Sequence, residues 1–180
     1  MSKLGFSKFF ISLSLVCFLL TAFLYYQRNN PRSLAFDINQ SINYSGKKSK
    51  TPQPTVIIIE DLNIKLPIIP AKIISNSWET TDIGVSYLTI SPKPGEMGNS
   101  ILYGHNWTNL LGKLTLVKPG QKIIIVYPKN DIKKFQVEYT TTTSPKDISV
   151  LSQTKDKRIT IYTCTGFLDS KRFVVVAKAV

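Results

Sequence analysis

Hydrophobic residues follow two different patterns along this chain. Near the N-terminus they form one unbroken apolar run over residues 9–26. From Thr55 onward they form short runs rich in β-branched and aromatic residues, and Pro, Gly, Asn and Asp separate these runs. The first pattern predicts a long apolar helix, and the second predicts β-strands joined by turns.

The second pattern contains eight candidate strands. They cover residues 55–59, 64–69, 84–88, 100–104, 122–127, 133–142, 158–164 and 172–179. The segments between these strands are too short for long helices. Residues 110–117 and 145–151 are each predicted to form one or two helical turns. Many short strands with so few helices indicate an all-β barrel or sandwich, and residues 54–180 are enough for a single domain.

The apolar run is predicted to be a transmembrane anchor. It contains about 18 residues, enough to cross a hydrocarbon core of about 30 Å. Lys3 and Lys8 precede it, which favours a cytoplasmic tail at residues 1–8. A cleaved signal peptide is the alternative, but its core is normally shorter and ends at a small-x-small site, which we do not find. Cys17 lies within the run and is predicted to face lipid.

Residues 27–53 differ in composition from both neighbours. They are rich in Asn, Ser, Lys, Gln and Pro, and they hold the tight basic cluster of Lys47, Lys48 and Lys50. Such a composition predicts a flexible extracytoplasmic stalk. The cluster is either simply solvated or in contact with an anionic lipid or wall polymer.

The chain is basic, with a formal net charge of +12 over 180 residues. Its lysines are scattered between apolar runs, and no basic stripe with interleaved aromatic residues is visible. A nucleic-acid partner is therefore not predicted. A basic surface facing an anionic membrane or wall polymer fits the pattern better.

Three side chains at strand ends are candidates for chemistry. Cys164 is the only thiol outside the apolar run, and His105 is the only histidine. A lone thiol in an exported domain is either buried and inert or retained for reactivity. Arg172 begins the last predicted strand. Taken singly, each is better explained without catalysis, His105 as a hydrogen-bonded structural histidine and Arg172 as a surface ion-pair residue.

The joint pattern resembles the sortase family of cysteine transpeptidases. Residues 94–99 read Pro-Gly-Glu-Met-Gly-Asn, and the following strand ends in Gly104-His105. A later strand ends in Thr163-Cys164, and Arg172 opens the next strand. Residues 111–123 also resemble the family's turn into a Gly-bounded strand. The resemblance covers residues 54–180 and implies a closed eight-stranded β-barrel.

The chain departs from the family pattern at two positions. Tyr162 stands where many sortases have Leu or Val, and Leu111 stands where an aromatic residue is common. The short connection between the strands at 133–142 and 158–164 leaves no room for the long helical insertion of one sortase class. The resemblance assigns substrate selection to the loop at residues 143–157. The subclass stays open.

The resemblance implies a role for each candidate residue. Cys164 would be the nucleophile, and His105 would be the general acid and then the general base. Because reference pKa values are about 8.5 for Cys and about 6.5 for His, few molecules would hold the reactive ion pair without help. Arg172 would stabilise the thiolate and the developing oxyanion.

The resemblance also implies the substrates. Cys164 would attack the Thr carbonyl of a Leu-Pro-x-Thr-Gly-like sorting signal on an exported protein, forming a thioacyl enzyme. An amine on a wall precursor or a pilin lysine would then accept the acyl group. No cofactor or metal is required, and Glu96 and Asp169 are too far apart in sequence to predict a calcium site.

Two other functions share parts of this pattern. L,D-transpeptidases also pair an upstream His with a later Cys, but their Cys usually sits in a Ser-His-Gly-Cys-like turn, whereas this chain has Tyr-Thr-Cys-Thr at residues 162–165. A sortase-like binding module that has lost activity is the non-enzymatic alternative. Reactivity of Cys164 in the folded protein distinguishes that module from an enzyme.

Overall fold

The computed structural model describes residues 3–28, 34–37, 51–74 and 77–180. Its first element is helix α1 (Lys3–Arg28). The segment Ser7–Gln27 of this helix is long and apolar enough to cross a membrane, and none of it is buried in the protein. Cys17 is exposed on the helix surface. The predicted basic cluster at Lys47, Lys48 and Lys50 lies outside the described residues.

Ten β-strands follow among the described residues. They are β1 (Val56–Ile59), β2 (Ile64–Ala71), β3 (Ile73–Ile74), β4 (Ser77–Trp78), β5 (Val85–Leu88), β6 (Gly98–Tyr103), β7 (Lys122–Val126), β8 (Ile132–Thr143), β9 (Lys157–Thr165) and β10 (Lys171–Ala179). Eight of them close a barrel in the order β1-β2-β5-β6-β9-β10-β8-β7, and β3 pairs with β4 in a separate hairpin. The predicted eight-stranded barrel is confirmed.

The two regions predicted to form short helices each contain one 3₁₀ turn, at Gly112–Leu116 and Ile148–Leu151. Asp147 caps the second turn, because its carboxylate accepts a hydrogen bond of 3.1 Å from the Ser149 amide. Such a cap stabilises the start of a short turn that has few hydrogen bonds of its own.

The barrel has two separate apolar cores, one on each face of its wall. Side chains alternate between the two faces along a strand, so Ile159 and Ile161 of β9 fill the barrel interior. Tyr162 and Cys164 instead belong to a second cluster, which we call the outer core. The outer core lies on β6, β9 and β10 and is covered by β4 and the turn Ile148–Leu151.

Asn99 fixes the loop at residues 143–157 to the barrel. Its side-chain amide donates to the carbonyls of Val150 and Ser152 at 3.1 and 3.2 Å. Its side-chain oxygen accepts from the Thr160 hydroxyl at 2.8 Å. Because Asn99 is buried, losing these bonds would leave several polar groups without partners. The loop is thus held as a wall beside the outer core.

Candidate active site

Strand register brings His105, Cys164 and Arg172 to one rim of the barrel. β6 and β9 run parallel, and Tyr103 of β6 pairs with Tyr162 of β9. His105 lies two residues after Tyr103, and Cys164 lies two residues after Tyr162. The Gly104 amide donates to the Tyr162 carbonyl at 3.3 Å, which keeps the two strand ends together. On the other side of β9, Arg172 of β10 lies directly opposite Cys164. Cys164 therefore stands between the other two.

The three side chains are nearly enclosed. The exposed fractions are 2% for Cys164, 6% for His105 and 3% for Arg172. Cys164 does not point into the barrel interior, because it belongs to the outer core. Its burial therefore comes from segments that lie over the outer face of the barrel.

The Arg172 guanidinium is held by main-chain carbonyls. Nη1 donates to the carbonyls of Asp169 and Lys171 at 2.9 and 3.0 Å, and Nη2 donates to the carbonyl of Ala35 at 2.8 Å. Within the described part of the chain, no carboxylate forms an ion pair with it and Nε has no hydrogen-bond partner. The positive charge beside Cys164 is therefore oriented but not neutralised.

His105 stacks flat on Trp107. The ring centroids are 4.4 Å apart and the planes differ by 12°. Burial lowers the pKa of His105 below its usual value of 6.5, and the nearby carboxylates of Asp169 and Asp82 partly oppose this shift. The stacking fixes the ring, and the enclosed setting favours the neutral imidazole.

Asp169 connects the loops that carry the candidate residues. Its carboxylate accepts a hydrogen bond of 3.2 Å from the side-chain amide of Asn106, the neighbour of His105. Its carbonyl accepts from Arg172. Asp169 and Leu168 both adopt positive φ angles, of 58° and 52°. The loop between Cys164 and Arg172 therefore turns back toward the His105 loop.

Asp169→Asn is expected to lower the pKa of His105 further, because the substitution removes a negative charge that favours the imidazolium. Asparagine tolerates the left-handed backbone and keeps an acceptor for Asn106, so the loop geometry should persist. His105 is the only histidine, so a ¹H NMR titration of its ring protons reports this pKa directly. Asp131→Asn, in an exposed pair with Lys133, is the control. An unchanged His105 pKa in Asp169→Asn would contradict the prediction.

A segment preceding the domain lies over the site. In residues 34–37, which we call the strap, Leu34 and Phe36 are buried in the outer core. The Phe36 ring meets Tyr162 edge to face with centroids 4.9 Å apart, and the Arg172 guanidinium lies 5.9 Å from the Phe36 centroid. The Asp37 amide donates to the Pro145 carbonyl at 2.9 Å. The strap thus contacts both Arg172 and the loop at residues 143–157.

The strap differs from the predicted flexible stalk. Residues 34–37 lie inside the predicted stalk, yet they pack on the domain because Leu34 and Phe36 bring two large apolar side chains to the outer core. The hydroxyl of Thr51, near the end of the same predicted stalk, also donates to Glu96 at 2.7 Å. Residues 38–50 lie outside the described part of the chain.

Comparison with known proteins identifies the family. The family model described as the sortase domain matches residues 57–180. The chain belongs to the sortase family. A sortase A from Listeria monocytogenes is 36% identical over 85 residues, which are 45% of this chain and 38% of that protein. The matched stretch thus spans well under half the length of that relative.

Solved sortase structures share the fold. A Sortase D5 transpeptidase from Clostridium perfringens is 26% identical, with a TM-score of 0.61 over 71% of this chain and 79% of that chain. Sortase A from Corynebacterium diphtheriae is 22% identical, with a TM-score of 0.63 over 89% of this chain and 83% of that chain. At 22% identity, the likeness to the Corynebacterium diphtheriae protein shows a shared fold alone.

Three features of this sortase site were not predicted from the sequence. The stacking of Trp107 on His105 is one of them, because both residues follow the end of β6 and the turn that brings the two rings together has no periodic pattern. The sequence assigns Asp169 no role beside its exclusion as a calcium ligand, whereas the structure joins it to Asn106 and Arg172. The contact of Phe36 with Tyr162 depends on tertiary packing and had no local signal.

Proposed function

We propose that this sortase is a cysteine transpeptidase that cleaves a Leu-Pro-x-Thr-Gly-like sorting signal and transfers the protein to an amine. The observation that carries the proposal is the placement of Cys164 between His105 and Arg172 on adjacent strand ends. A thiol nucleophile, an imidazole for proton transfer and, at Arg172, a guanidinium without an acidic partner among the described residues can together support acyl transfer through a thioester. Family membership supports a transpeptidase role in general.

In the first half-reaction, the Cys164 thiolate attacks the Thr carbonyl of the sorting signal. The carbonyl oxygen gains negative charge, which the Arg172 guanidinium stabilises through its fixed donors. The imidazolium of His105 gives its proton to the leaving Gly nitrogen as the peptide bond breaks. The products are a thioester on Cys164, a free C-terminal fragment and a neutral His105.

In the second half-reaction, an acceptor amine attacks the thioester. Neutral His105 takes the amine proton, the new amide bond forms, and the Cys164 thiolate is released. The lowered pKa of His105 suits this base role but limits the fraction of imidazolium available for the first step. The acceptor would be a wall-precursor amine or a pilin lysine.

The peptide would bind on the outer face of the barrel. The loop at residues 143–157 forms one side of this face, and the hairpin of β3 and β4 contributes Trp78 to the outer core. The strap contacts Arg172 and Tyr162 and packs in the same outer core as Cys164. An extended peptide reaching Cys164 would therefore take the place of the strap.

The protein would act at the cell membrane. The segment Ser7–Gln27 is the candidate span, and Lys3 and Lys8 before it favour a cytoplasmic N-terminus with the barrel outside. Exported proteins with a sorting signal and amine acceptors on lipid carriers would meet the enzyme on that side.

The proposal is tested by trapping the acyl enzyme. The full chain in detergent is incubated with a panel of sorting peptides, and intact mass is measured with and without glycine oligomers or lysine-bearing acceptors. We expect an adduct on Cys164 that an amine acceptor discharges as a transfer product. Cys164→Ala should abolish the adduct and His105→Ala should nearly do so, whereas Cys17→Ala, which removes the other thiol, should leave it unchanged. The absence of an adduct with every peptide would overturn the proposal.

A further inference from the structure

The loop between β9 and β10 lies against the outer end of α1. A cleft of about 360 Å³ is lined by Leu24 and Gln27 of the helix and by Asn106, Gly166, Leu168 and Asp169 of the barrel. The same loop carries the carbonyl that holds Arg172. The helix end and the candidate active site are therefore close neighbours.

The position of Leu24 along α1 indicates how deep this loop would lie relative to the membrane surface. The candidate span Ser7–Gln27 has 21 residues, and at about 1.5 Å per residue it matches a hydrocarbon core of about 30 Å. Gln27 then marks the outer boundary of the core, and Leu24 lies about 5 Å inside it. A loop that borders the same cleft as both residues would lie at the membrane surface once α1 spans the bilayer.

The side chains at the tip of the loop suit that environment. Phe167 is 84% exposed, and Leu168, which borders the cleft beside α1, is still 40% exposed, so the tip presents apolar surface of two large side chains to its surroundings. Tyr25 and Tyr26 are exposed near the same end of α1, as is common for aromatic residues at a membrane interface. Lys171 is exposed beside the loop, where its ammonium group can meet lipid phosphates.

We infer that residues 166–170 form a membrane-contacting loop that inserts Phe167 and Leu168 into the outer leaflet and holds the catalytic rim at the lipid surface. The partner is the lipid surface that α1 itself enters. The inference rests on the membrane anchoring in the proposed function. Its consequence is that an acceptor amine carried on a lipid would reach the Cys164 thioester without leaving the membrane.

Lipid contact is measured by tryptophan quenching in the full chain. Phe167→Trp and Ile132→Trp are each reconstituted in nanodiscs of phosphatidylcholine and phosphatidylglycerol, with or without bromine near the headgroup end of the acyl chains. Ile132 is 47% exposed and begins β8, whose other end pairs with Arg172, so it lies about 30 Å from the loop. Signals of Trp78 and Trp107 are subtracted using the parent protein.

We expect bromine to quench the tryptophan introduced by Phe167→Trp at least about twice as strongly as the one introduced by Ile132→Trp, since quenching requires contact with lipid. Equal quenching would overturn the inference. So would a response of the Phe167→Trp signal to sorting peptide but not to brominated lipid, which would assign the loop to peptide binding. The readout needs no turnover, so its failure is distinguishable from failure of the acyl-enzyme experiment.

Discussion

Arg172→Ala is expected to slow acylation of Cys164 by about 10²–10³-fold, the usual effect of losing a preorganised oxyanion donor. The guanidinium lies opposite Cys164 with three carbonyl contacts and no acidic partner among the described residues. Its charge is thus available both to the thiolate and to the substrate carbonyl. Single-turnover kinetics with a sorting peptide, followed by intact mass, measure the acylation rate.

Arg172→Lys should also lose most of the activity, although less than Arg172→Ala. Lysine keeps the charge, but its single ammonium group cannot bond the carbonyls and also present a rigid fork to the substrate. Arg158→Ala is the matched control, because Arg158 pairs with Glu138 and Asp156 on the barrel surface. Similar acylation rates in the parent protein, Arg172→Lys and Arg172→Ala would remove Arg172 from the mechanism.

Phe36→Ala is expected to raise the alkylation rate of Cys164 by up to about 100-fold. Removing a buried Phe side chain costs about 3 kcal/mol or more, and each 1.4 kcal/mol changes a population about tenfold. This free energy is lost from the state in which the strap is bound to the barrel, because Phe36 packs on Tyr162 and Arg172 only in that state. Iodoacetamide labelling followed by peptide mass spectrometry separates Cys164 from Cys17.

The control for the strap is Leu116→Ala, an exposed apolar residue in the turn Gly112–Leu116. It should leave the labelling rate of Cys164 unchanged. If Phe36→Ala also labels at the parent rate, access to the thiol does not depend on displacement of the strap, and another route to Cys164 must exist.

The barrel could be predicted from sequence because its strands carry strong local signals. All eight barrel strands coincide with β-branched runs bounded by turn residues, and their observed ends lie within about two residues of the predicted ends. The hairpin of β3 and β4 was missed because each strand has only two residues, which is too short for a periodic pattern to show.

The candidate site could be predicted only in part. His105, Cys164 and Arg172 stand in recognisable motifs, and the register places them together. The strap could not be predicted, because its neighbours in sequence are polar and its stability comes from contacts with residues more than a hundred positions away, such as the bond from Arg172 to Ala35. The composition of residues 27–53 is polar on average, and this average does not reveal that Leu34 and Phe36 anchor the segment to the barrel.

The separation of the two apolar cores has a consequence for how this protein can change. Residues that hold the barrel closed, such as Ile159 and Ile161, are different from those that line the outer face, such as Trp78 and Tyr162. A substitution on the outer face disturbs the packing there, but it leaves the interior side chains in contact with the same neighbours, so the closed barrel persists. The shape of the outer face can therefore change on this scaffold while the strand register that sets Cys164 opposite Arg172 is preserved.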